Sequence, residues 1–263
     1  MAGFAALFDC HAHTADLSDC CDADVGLDTY VEAVRQLPQL AGVAITNHGF
    51  STYFPSDIGW SGVFITEPTL FDSWRDRGNR RLDEHLQRVE ARRESGLWTG
   101  MEVELMRDGR LTVDPVFLAR LDVLLGSVHF LPQLDPKTTA PEACARGWWQ
   151  HTRQLMDAGI DILAHPFRWL VLNAGLPVTQ SRIETLLEAA AETGVALEIN
   201  AHKPMPGDLE LVEGCARDGI TVAFATDAHR REEIGGFDYH LDLLRQTGLN
   251  MDDIRVWQPT ARQ

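Results

Sequence analysis

The stretch Ala5-Ala6-Leu7-Phe8-Asp9-Cys10-His11-Ala12-His13 begins as an apolar run and ends in two imidazoles one residue apart. In an extended strand the side chains alternate faces, so residues i and i+2 share a face and lie roughly 6.5 to 7 Å apart, within reach of one metal ion. Taken alone, the pair fits a polar strand end facing water equally well. The rest of the chain decides between the two readings.

Apolar runs rich in β-branched residues recur after the first, at 5–9, and fall at 42–46, 98–103, 123–127, 162–164, 196–199 and 221–225. Segments of helical character lie among them, at 27–37, 79–95, 115–120, 141–158, 181–193, 208–218 and 231–247. Leu82, Leu86 and Val89 share one face of the second helix. Asp208 is placed to cap the sixth, and Gly159, Gly194, Gly219 and Gly248 stand where helices end. This regular alternation, with no break in composition, predicts one parallel sheet closed or nearly closed by helices, a single domain over residues 1–263. About seven repeats match an α/β barrel of the triosephosphate-isomerase type better than an open, doubly wound sheet. No G-x-G-x-x-G or P-loop follows a strand, which weakens the nucleotide-binding alternative further. Residues 49–78 lack helical periodicity and read as a long loop over the barrel mouth, where substrate enters.

The bulk properties narrow the function. A chain of 263 residues with 44% hydrophobic and 24% charged residues is an ordinary globular composition, long enough to bury a sizeable core. Its net charge of -16 disfavours long nucleic acid and anionic membranes, both of which require a basic surface. No run approaches the roughly 18 apolar residues of a membrane span, and residues 1–10 lack the basic leader of a signal peptide. Five cysteines, with no CxxC pair, argue against a disulfide framework and a thiolate zinc site. A soluble cytoplasmic protein with reduced thiols is expected.

The metal-capable residues follow one rule of placement. His11 and His13 end strand one; His48 follows strand two in Ile45-Thr46-Asn47-His48; Glu102 ends strand three in Gly100-Met101-Glu102. His129 ends strand four in Gly126-Ser127-Val128-His129, His165 follows strand five in Leu163-Ala164-His165-Pro166, and Asp227 and His229 close strand seven in Thr226-Asp227-Ala228-His229. In a parallel barrel these C-terminal strand ends converge on one rim, where catalytic residues are supplied. A random scatter of ten histidines would rarely put six at that register. Imidazole and carboxylate donors suit Zn²⁺, Mn²⁺ or Fe, and there are more of them than one ion needs. His85, His151 and His240 fall inside helical segments and read as structural or exposed, and the Trp148-Trp149 pair reads as core packing.

In order and placement these motifs, with Asp227-Ala228-His229-Arg230-Arg231-Glu232-Glu233-Ile234-Gly235, resemble the PHP (polymerase and histidinol phosphatase) family of metal-dependent phosphoesterases, and its histidinol-phosphatase branch most. The resemblance runs from Phe8 to about Gly248. It implies a distorted (β/α)7 TIM-like barrel with up to three divalent metal ions. By that resemblance His11, His13, Glu102 and Asp227 hold the first ion, and Glu102 bridges to a second completed by His129 and His165. The third takes His48, His229 and a residue of the loop after strand one, Asp19 ahead of Asp22 and Asp24. Asn47 stands where many relatives carry Asp, a change expected to act on supporting hydrogen bonds. Oxygen at Asp19 in place of an imidazole would favour a harder ion, Mn²⁺ or Fe²⁺, in the third site.

The chemistry expected of such a cluster is hydrolysis of a small phosphate monoester by a hydroxide bridging the ions. Asp227 orients the nucleophile, and the Asp227/His229 pair serves the leaving alkoxide. Arg168 and Arg230 lie on the same rim and suit bidentate contact with phosphate, while His202 and Lys203 follow strand six and reach either substrate or solvent. The alternatives are a phosphoesterase acting on nucleotides or oligonucleotide ends, a metal-dependent amidohydrolase, and a non-catalytic metal-binding module. Oligomeric state is not legible in the sequence.

Overall fold

Eight parallel strands pair in chain order in the computed structural model, which describes residues 6–260. They are β1 (Leu7–Ala12), β2 (Leu40–Ile45), β3 (Leu97–Val103), β4 (Val123–Gly126), β5 (Ile162–Leu163), β6 (Ala196–Asn200), β7 (Thr221–Ala225) and β8 (Arg255–Val256). The helices are α1 (Leu27–Gln36), α2 (Gly49–Tyr53), α3 (Ser56–Ser61), α4 (Val63–Thr66), α5 (Thr69–Glu90), α6 (Pro141–Asp157), α7 (Gln180–Thr193), α8 (Asp208–Asp218) and α9 (Asp238–Thr247). The seven expected strands are all present, although residue 5 of the first lies outside the described residues. The eighth is an addition: two residues long, β8 is too short to carry a periodic signal, and it pairs with the start of β7 through Thr221 and Val222.

At the other end of β7 the sheet curls back onto β1. Ala12 bridges Ala228 in parallel, Asp227 N donates to His11 O at 2.8 Å, and His13 N donates to Ala228 O at 3.2 Å. The C-terminal rim is therefore tied between the first and seventh strands, as an α/β barrel of seven repeats requires. Side chains drawn from six of the strands, among them Phe8, Cys10, Ala44, Leu125, Ile162, Ala196 and Ala223, form one buried cluster that fills the inside of the curl. Trp98 and Trp257 pack against Phe8 there, each with ring centroids 6.0 Å from it. A second, larger core lies between the sheet and the helices.

The segment 49–78 departs from the expected loop. It holds α2, α3, α4 and the first part of α5, and two physical causes hid them. All five residues of α2 are buried, so it has no polar face and no amphipathic period. Along α5 the buried stripe is Phe71, Gly78, Leu82, His85, Leu86 and Val89, and its glycine is silent in a hydrophobicity pattern. Gly78 is required there, because a Cβ would sit 2.0 Å from Tyr53 Cδ1. The segment does reach the barrel mouth, where Phe50 stacks on His48 with centroids 4.6 Å apart.

Smaller corrections follow the same logic. Residues 115–120 and 93–95 are 3₁₀ turns, and the expected helix at 231–247 is interrupted around Gly235, whose φ is +70°. The N-cap of α8 is Gly207; Asp208 is its first helical residue and instead accepts from Met205 N and Tyr239 Oη. Gly159, Gly194, Gly219 and Gly248 all have positive φ, as helix-ending glycines do. His85, His151 and His240 are buried, and Trp148 packs in the core with its indole N–H on Pro166 O. No helix among the described residues is long and apolar enough to cross a membrane.

Candidate metal centre

Register at the rim brings the strand ends together. His48 bridges Glu102 across the β2–β3 junction, and the β1–β7 closure sets His11 and His13 against Asp227. β1 breaks register between Asp9 and Ala12, an irregularity of the kind that re-aims side chains beside functional sites. Beyond it the Nε2 atoms of His11 and His13 lie 3.0 Å apart. Both rings are fully buried.

Glu102 stands at the middle with its two oxygens turned to different neighbours. Oε2 lies 3.3 Å from His11 Nε2, 3.6 Å from His13 Nε2 and 2.6 Å from His48 Nδ1. Oε1 lies 2.9 Å from His165 Nε2 and 3.6 Å from His129 Nε2. Asp227 Oδ1 is 3.0 Å from His13 Nε2, 3.4 Å from His11 Nε2 and 3.6 Å from His229 Nδ1. His13, His48 and His229 also converge as a group of three.

Hydrogen bonds behind the imidazoles fix which nitrogen faces inward. The Nδ1–H of His11 donates to Glu198 Oε1 at 2.6 Å, and that of His129 to Glu104 Oε1 at 2.6 Å. His229 Nδ1 donates to Asp227 O at 2.7 Å, and His13 Nδ1 to Ser18 Oγ at 3.2 Å. Each bond leaves the Nε2 lone pair for a cation. Ser18 Oγ in turn donates to Asn47 Oδ1, which also accepts from Thr14 N. The Asn47 side chain thus supports the loop after β1 and reaches the centre through Ser18, while its carbonyl accepts from Glu102 N at 3.2 Å.

The electrostatics describe a hole for positive charge. Burial alone would raise the carboxyls of Glu102 and Asp227, yet the charges around them hold both well below the usual range: His129 and His11 for Glu102, His11 and Arg168 for Asp227. Burial pushes His129 and His165 down to about 4, so their rings are neutral near pH 7. Burial also opposes a charge on His48, but the Glu102 carboxylate outweighs it and lifts His48 to about 10. Glu102 Oε2, Asp227 Oδ1 and His48 Nδ1 are buried with no hydrogen bond of acceptable geometry among the described residues. Such groups are costly in a protein interior, and a divalent cation is what these oxygen and nitrogen donors fit.

Backbone strain is concentrated here as well. Among the described residues the non-glycine positions with positive φ are His165, at 28°, and Asp227, at 51°. Strain of this kind costs about 1–3 kcal/mol and persists where the surroundings enforce it.

The sequence-predicted residues meet this geometry unequally. His11, His13, His48, Glu102, His129, His165, Asp227 and His229 come together, and Asp19 does not. Its Oδ1 accepts from Trp60 Nε1 at 2.9 Å and Ser51 Oγ at 3.2 Å. The sulfur of the next residue, Cys20, lies within 4.8 Å of the Cys21 sulfur and of a His229 nitrogen. The neighbouring Cys21 thiol first, and then His229 and His48, hold the Cys20 thiol below its ordinary range. Arg168 donates to Asp227 Oδ2 at 2.8 Å and Asn200 Oδ1 at 3.0 Å, so it braces the aspartate as well as facing the mouth. Sequence reasoning missed Glu104 and Glu198, whose one available signal was a carboxylate in or just after a buried strand.

A cavity of about 260 Å³ opens over the cluster. Cys20, His48, His129 and His229 line it from the cluster, Trp60 from α3, and Arg168, His202, Lys203 and Arg230 from the later loops. A larger hollow of about 380 Å³, lined by Leu7, Leu37 and Phe237, includes none of the cluster residues.

A family profile described as PHP domain matches residues 9–202, which takes in the cluster from His11 to His165. A probable phosphatase of Shewanella sp. (strain ANA-3) is 28% identical over 178 residues, 63% of this chain and 64% of that protein. A probable phosphatase of Caldanaerobacter subterraneus subsp. tengcongensis is 28% identical over 165 residues, 57% of each chain. The DNA polymerase/3'-5' exonuclease PolX of Bacillus subtilis (strain 168) is 32% identical over 136 residues, 51% of this chain and 22% of that protein. The chain thus spans less than two thirds of the length of these curated relatives.

Proposed function

The chain belongs to the PHP domain family, and from that premise we propose that it is a metal-dependent phosphatase acting on a small phosphate monoester, with histidinol phosphate the first substrate to try. The observation that carries this reading is the buried imidazole–carboxylate cluster beneath a cavity rimmed by Arg168, Lys203 and Arg230. His11, His13, Glu102 and Asp227 would hold one ion, Glu102, His129 and His165 a second, and His48 and His229 part of a third. Three divalent ions per chain, drawn from Zn, Mn and Fe, would supply Lewis acidity toward phosphoryl oxygens and water activation when bound.

The protein's own groups divide the remaining work. Arg168 and Asn200 pin Asp227 Oδ2, at 2.8 and 3.1 Å, which leaves Oδ1 to accept a hydrogen bond from the attacking water. His229 is anchored through Nδ1, which leaves its Nε2 to help hold the third ion on the side of the leaving alkoxide. Arg230 has no ion pair among the described residues and lines the cavity, as a phosphate ligand must. Trp60 is 43% exposed at the mouth and offers a face to a flat ring in the leaving alcohol.

A panel of phosphomonoesters assayed with each metal tests the proposal. Arg230→Ala should raise KM for dianionic substrates roughly tenfold with kcat little changed, whereas Arg168→Ala should lower kcat because it frees Asp227. Identical kinetic effects of the two replacements would argue against this division of roles. A second reading, hydrolysis at nucleotide ends, draws on the similarity to a protein named an exonuclease, but the net charge of -16 offers no track for a strand. Five free cysteines support a cytoplasmic location.

A further inference from the structure

We propose that the third ion of the centre is held by the sulfur of Cys20 together with His48 and His229, in place of the oxygen of Asp19. The inference rests on the metal-centre reading above and concerns which atom completes it. The sulfurs of Cys20 and Cys21 and a His229 nitrogen lie within 4.8 Å of one another, and Cys20, His48 and His229 line the same cavity. His48 is 3% exposed, and its Nδ1 faces Glu102 Oε2 at 2.6 Å without a hydrogen bond of acceptable geometry, which leaves Nε2 for the third ion. Asp227 Oδ1, 3.6 Å from His229 Nδ1, is likewise buried with no hydrogen bond of acceptable geometry among the described residues. Asp19, by contrast, spends its carboxylate on the indole of Trp60 and the hydroxyl of Ser51.

The substitution of sulfur for oxygen reverses the expected metal preference. A carboxylate would draw Mn²⁺ or Fe²⁺, whereas a thiolate with two imidazoles selects Zn²⁺ or Co²⁺. Binding forms a sulfur–metal bond from the Cys20 thiolate, any proton left on the sulfur passing to solvent, with no change of oxidation state.

Cobalt substitution of the full chain reads the sulfur directly, without reference to turnover. Co²⁺-loaded protein should show the intense near-ultraviolet charge-transfer absorption of a thiolate ligand. Cys20→Ser should abolish it and bind about one ion fewer, while Cys21→Ser and Asp19→Asn should keep it. In the unaltered protein, Co²⁺ should protect Cys20 from alkylation as mapped by mass spectrometry, a measurement that does not depend on any variant folding. In competition, Cys20→Ser should lose roughly tenfold or more of the preference for Zn²⁺ over Mn²⁺. Bound Co²⁺ without the absorption, or loss of the absorption in Asp19→Asn or Cys21→Ser but not in Cys20→Ser, overturns the assignment and leaves the centre standing. No Co²⁺ bound at all overturns both.

Discussion

Glu102 and Asp227 each divide their two oxygens between tasks, and the neighbours that enforce this division are the residues to perturb. Glu198 holds His11, and Glu104 holds His129, each through a 2.6 Å bond to Nδ1. Replacing either glutamate with glutamine weakens the hydrogen-bond acceptor behind the ring, and metal affinity measured against a competing chelator should fall about 10–100-fold. Unchanged affinity in both would show that the rings are held by packing alone. Protonation gives a second test. His11 is raised and His48 lifted to about 10, so both carry protons at neutral pH when no cation is present. A metal must displace them, so affinity should rise with pH, and loading should release about two protons into a weakly buffered solution. Loading without proton release would contradict that charge assignment. The strand-end histidines were legible because their chemistry and their register coincide in the sequence. Glu104 and Glu198 were not, since a glutamate near a strand end gives no sign of the ring behind which it lies. Nor could an acidic loop show that Asp19 turns toward Trp60 while the exposed Cys20 lines the cavity over the cluster.

Among the elements, α8 and β7 coincide with their expected limits, because Gly207 and Gly219 punctuate a well-patterned stretch. The helices of 49–78 were illegible for the converse reason, one being buried all round and another carrying glycine in its packing stripe. Gly78→Ala should therefore destabilise the protein by about 1–3 kcal/mol in denaturant titration, since the added methyl meets the Tyr53 ring. A neutral result would mean that the α2–α5 contact is looser than the geometry requires. Asp208 at the start of α8 gives a pH test away from the centre. Burial pushes its carboxyl up to about 6, opposed by hydrogen bonds from Met205 and Tyr239. The folded state therefore holds this proton more tightly than the unfolded chain, and the associated stability is present below about pH 4 and lost as pH rises through 6. Relative to the native protein, Asp208→Asn should gain up to about 3 kcal/mol at pH 7, with the difference fading toward pH 4. A difference independent of pH would contradict the raised carboxyl.

For the molecule as a whole, closure of the sheet brings Asp227 and His229 onto His11 and His13, joining residues from opposite ends of the chain. The barrel was legible from strand–helix alternation, while β8 was too brief to register. Ions held by β1, β3, β4 and β7 together would bind the folded state and not the unfolded one, so loading should raise the melting temperature and chelation should lower it. The central claim is that this rim is a metal centre that hydrolyses phosphate monoesters. The most direct measurement is the metal content of the full chain purified without chelator, taken beside phosphomonoester turnover before chelation, after it and after metal is restored. The account predicts about three ions per chain and turnover that is lost and regained with them, and abolished in Asp227→Ala. Protein that holds no metal, or turnover that survives both chelation and Asp227→Ala, would contradict it.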